Sequence, residues 1–73
     1  MALWYRIVNP DLDAFAKGFE EYTDALVNSG FVLSAINDSS MVYCNRSARV
    51  TVSLMVVKTP KTLNIILVFS PSL

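Results

Sequence analysis

Apolar residues fall at Leu12, Phe15, Phe19, Tyr22 and Leu26, which lines one face of a 3.6-residue helix. Asp13, Lys17, Glu20 and Asp24 form the opposite stripe. The spacing predicts one amphipathic helix. Asn9 is expected to cap its start, with Pro10 in the first helical position, where a missing N–H costs nothing. Asp11 and Asp13 then sit near the positive end of the helix dipole. Gly18 weakens the middle by about 1 kcal/mol relative to Ala. Asn28-Ser29-Gly30 closes the helix, with Gly30 as its left-handed terminator.

On either side of this segment the period is two. Leu3–Val8 is β-branched and aromatic and reads as a strand. Four more strands are expected at Phe31–Ile36, Met41–Asn45, Arg49–Val57 and Thr62–Ser70, joined by hairpin-length turns. The predicted order is β-α-β-β-β-β: a single α+β domain over residues 1–73, one helix packed on one face of an antiparallel β-sheet. In topology alone this order resembles cystatin-like sheets wrapped on one helix, and its β-α-β-β part resembles dodecin-type flavin binders. No residue motif of either family is present, so the resemblance implies no function.

Alternation assigns the strand residues to two faces. One face collects Leu63, Ile65, Leu67 and Phe69 with Val50, Val52, Leu54 and Val56, joined by Phe31, Leu33, Ala35, Met41 and Tyr43. The helix stripe is expected to cover it. The other face collects Ile66, Val68, Met55, Val57, Ile36 and Val42 among Ser, Thr, Asn and Cys44. An outward sheet face is ordinarily polar. A cluster of these six approaches ~400 Å², the size at which exposure signals a contact. Burying that area contributes on the order of 10 kcal/mol before entropic costs. The last strand, apolar on both sides, is therefore expected to be covered on both: once by the helix, once by another chain.

The totals point the same way. A 73-residue chain makes one small domain, and domains of this size are commonly reinforced by disulfides, metal or oligomerisation. One Cys and no His rule out an intrachain disulfide and the usual zinc ligand sets, leaving oligomerisation. Charged residues are only 16%, below the usual ~25%. Net charge is zero, so no global field draws the chain to nucleic acid. The N-terminal stretch lacks a signal-peptide pattern, and no apolar run reaches the ~20 residues of a membrane-spanning helix. A cytoplasmic protein with a reduced thiol and no membrane association is expected.

Catalytic chemistry has little to stand on. Cys44 has no His to act as base; Arg46, two residues on, is expected on the same face and favours a thiolate. Five of the six carboxylates lie between Asp11 and Asp24 and read as a solvated helix surface. Positions 11–28 carry five acids against Lys17, about −4. The remainder carries Arg6, Arg46, Arg49, Lys58 and Lys61 against Asp38, about +4. Of Trp4 and Tyr5, which alternate, Trp4 is the expected exposed anchor.

These readings lead to a non-enzymatic, cofactor-free interaction protein. It is expected to form a homo-oligomer, dimer or larger, through Trp4, Ile36, Val42, Met55, Val57, Ile66 and Val68. Its expected role is to modulate or inhibit a partner protein, as virus- or phage-type inhibitors do. The alternative is an oligomer that binds a small anionic or nucleotide ligand between subunits, using Arg46, Arg49, Lys58 and Lys61 with Tyr43 or Trp4 stacking.

Overall fold

The computed structural model describes residues 1–71. It is an α+β fold. Strand β1 (Ala2–Val8) leads into helix α1 (Leu12–Asn28), followed by β2 (Val32–Ile36), β3 (Ser40–Asn45), β4 (Val50–Lys58) and β5 (Thr62–Pro71). The five strands form one antiparallel sheet in the order β1-β5-β4-β3-β2. The two strands that flank the helix in sequence thus lie at opposite edges, and α1 carries the chain across one face between them.

The helix ends are set by local hydrogen bonding. Asp11, not Asn9, is the N-cap: its side chain accepts from the backbone N–H groups of Asp13 and Ala14, both at 3.1 Å. Both residues suit a cap. Asn9 instead takes φ 52 and donates its N–H to Lys61 O at 2.9 Å, locking the end of β1 to the β4–β5 turn. At the other end Phe31 N–H donates to Leu26 O and Gly30 N–H to Val27 O, with Gly30 at φ 95. This is a Schellman termination, and Phe31 packs against the core cluster to which Leu26 belongs.

Alternation fails once. In β2, Leu33 opposes Tyr43 and Ala35 opposes Val42, so one strand advances two residues while its partner advances one. This β-bulge at Ser34 reverses the facing of the residues beyond it. Ile36 opposes Met41, whose own partner is Leu54, and so lies on the helix side. The expected outward placement of Ile36 and inward placement of Ala35 are both overturned.

The core is small. Leu26, Tyr43, Val52 and Leu54 are buried together, with Phe31, Met41, Val50, Leu67 and Phe69 against them. Leu63 is fully buried further along β5. The helix covers the sheet less completely than its stripe suggests: Leu26 is buried, Phe15 and Phe19 are half-buried, and Leu12 and Tyr22 are exposed. The Phe15 and Phe19 rings, 5.7 Å apart, stand above Leu54 with an open groove on either side. One groove, about 430 Å³, runs toward Ile36, Met41 and Val56. The other, about 450 Å³, runs toward Tyr5, Ile7 and Tyr22. The radius of gyration, 12.8 Å, exceeds the ~11 Å of a compact domain of this length.

Candidate interaction surface

The pairing register builds the outer face in rows. Trp4 opposes Ile66, which opposes Met55. Ala2 opposes Val68, which opposes Ser53, which opposes Val42. Asn64 lies between Arg6 and Val57. Six of the expected contact residues, Trp4, Val42, Met55, Val57, Ile66 and Val68, therefore share this face, and Ile36 does not. Ala35, opposite Val42, takes its place beside them. Arg6 is the one charged residue that the register puts on the face, and it sits on the edge strand. Trp4 is 73% exposed; Met55 and Val57 are exposed, and Ile66, Val68 and Val42 half-buried by their neighbours.

Cys44 occupies the far end of the same face. Its Sγ lies 3.3 Å from Ser34 Oγ and 3.7 Å from Thr51 Oγ1. The Ser34 hydroxyl also donates to Val42 O at 3.2 Å. Ser34, then Thr51, hold the thiol below its ordinary pKa, and Arg46 adds a smaller push in the same direction. Alternation alone puts both hydroxyls on the Cys44 face; their hydrogen bonds to the sulfur carry no sequence signal. No group of three or more His, Cys, Asp or Glu gathers among the described residues.

The basic residues do not converge. Arg46 and Arg49 flank the β3–β4 turn, and Lys58 and Lys61 flank the β4–β5 turn at the other end of the sheet. Tyr43, expected to stack on a ligand in the alternative reading, is only 4% exposed and belongs to the core. Burial withdraws it from that role.

A buried polar residue that composition did not single out is Asn45. It lies on the helix side, opposite Val50. Its Nδ2 donates to Ser29 O at 3.2 Å and its Oδ1 accepts from Ala48 N–H at 3.0 Å. Asn37 plays a more local part, accepting from Ser39 N–H, Ser40 N–H and Ser40 Oγ to close the β2–β3 turn.

Comparison with protein-family models, curated proteins and solved structures finds no match to this chain.

Proposed function

We propose that this is a non-enzymatic interaction protein that self-associates through the outer face of its sheet and, once assembled, modulates a partner protein. The observation that carries this reading is the outer face itself. Its centre, from Trp4 through Ile66 and Met55 and from Val68 to Val42, is apolar apart from Ser53, and the one charge that the pairing register places on it, Arg6, is on the edge strand.

Light scattering across a dilution series tests the reading. The unmodified chain is expected to exceed its monomer mass at micromolar concentration. Met55→Asp and Val68→Asp, on adjacent strands of the outer face, are each expected to lower that mass while leaving the helical circular dichroism intact. A monomeric unmodified chain, or either variant at full mass, would overturn it.

A further inference from the structure

We infer that the free edge of β1 is a second self-association surface, on which a second copy of this chain pairs its own β1 antiparallel, with Tyr5 opposite Tyr5 of the other copy.

The backbone of β1 dictates which residues offer hydrogen bonds outward. Met1 and Phe69 exchange bonds in both directions at 2.8 Å, and Asn9 N–H donates to Lys61 O. In an antiparallel ladder such pairs alternate with non-bonded ones. Between those two ends, Leu3, Tyr5 and Ile7 must therefore turn their backbone groups toward Leu67, Ile65 and Leu63 of β5. Ala2, Trp4, Arg6 and Val8 turn theirs away from β5, to the open edge. All four are exposed. The edge has no bulge and no proline between Ala2 and Val8, and Arg6 is its only charge, so it lacks most of the devices that blunt an edge. The opposite edge, β2, is five residues long and bulged at Ser34.

The register of such a pair is fixed by counting and charge. Antiparallel pairing must match outward residues with outward residues. Placing Ala2 opposite Val8 and Trp4 opposite Arg6 uses all four residues of each copy. Sliding by two positions either way leaves one residue of each copy outside the ladder. One of those slides also sets Arg6 against Arg6, a like-charge pair that is unfavourable when directly opposed. The full register sets each Trp4 indole beside the other copy's guanidinium on the outer face, where a cation and an aromatic ring attract. On the helix side it brings Tyr5 to the two-fold axis and Leu3 opposite Ile7. The groove lined by Tyr5, Ile7 and Tyr22 runs beside this edge, so a second copy adds apolar cover to that side. The occupant is thus a second copy, chosen by its complementarity to the same edge. The contact lies in the plane of the sheet, separate from the outer-face contact proposed above.

Single cysteines at positions 4, 5 and 6, each in a Cys44→Ser background, read the register. The variants are Trp4→Cys, Tyr5→Cys and Arg6→Cys, oxidised with copper–phenanthroline and run on non-reducing gels after dichroism confirms the fold. A non-hydrogen-bonded antiparallel pair sets Cα atoms about 4.5 Å apart, within disulfide reach. Tyr5→Cys is expected to form the covalent dimer at least tenfold faster than the other two. Equal rates, or the fastest reaction at position 4 or 6, would overturn the proposal. Adding Met55→Asp separates the two surfaces: Tyr5→Cys is expected to crosslink at an unchanged rate. A loss of crosslinking on that addition would mean that the edge is not an independent contact.

Discussion

Asn45 reaches from the end of β3 to Ser29, its Nδ2 3.2 Å from the carbonyl oxygen of the residue that caps helix α1. The same side chain holds Ala48 N–H in the β3–β4 turn. One buried amide thus joins the helix terminus to a turn of the sheet. Asn45→Ala leaves a carbonyl and an N–H without this partner. A loss of about 1–3 kcal/mol is expected, read as a lower denaturant midpoint at unchanged slope. A change below the error of the measurement would show that water replaces the amide at no cost.

The two glycines are expected to respond in opposite directions. A Cβ at Gly18 meets nothing within 4 Å, so Gly18→Ala should stabilise the helix by up to about 1 kcal/mol. Gly30 holds φ 95, and the nearest atom to a Cβ there is Asn45 Nδ2 at 3.5 Å. Space is adequate; the backbone angle is the obstacle. Gly30→Ala should cost about 1–2 kcal/mol. Thermal melts of both variants check the sign.

Truncation on the two faces should separate folding from assembly. Leu54 is 2% exposed beneath Phe15 and Phe19. Leu54→Ala is expected to lose about 2–5 kcal/mol. Val57→Ala, on the exposed outer face, should stay within about 0.5 kcal/mol when measured in dilute solution. Equal losses at both positions would place the core elsewhere.

Cys44 should alkylate with a pH inflection below that of the same thiol in the unfolded chain. Hydrogen bonds from Ser34 and Thr51 favour the thiolate. Because the folded value is the lower one, the associated stability is present above the unfolded thiol's pKa. It is lost as pH falls through the folded value. Ser34→Ala is expected to move the inflection upward. Iodoacetamide rates across a pH series measure it; an inflection that stays put or moves down would remove Ser34 as the cause.

Much of the architecture was legible in the residues. The helix shows in the apolar spacing from Leu12 to Leu26, and the last four strands in alternation broken by Asn, Asp, Gly and Pro. What the pattern hid was set by pairing. Leu33-Ser34-Ala35-Ile36 reads as simple alternation, and only the register against Tyr43 and Val42 reveals the extra residue at Ser34. Asn9 and Asp11 are both capping residue types. The choice between them rests on the bond from Asn9 to Lys61, a residue 52 positions away in sequence, 61 against 9. The outer face was legible because its members alternate with the core. The bonds of Asn45 were not, because a polar residue at the end of a strand ordinarily faces water.

The bulge at Ser34 makes the two margins of the sheet unequal. A chain whose two margins matched each other would add copies head to tail, each addition exposing the same margin again, and would grow into a fibre. Here a margin that advances two residues for its neighbour's one offers a straight strand no continuous partner. One serine in a five-residue strand thus keeps the sheet itself from being extended at both margins.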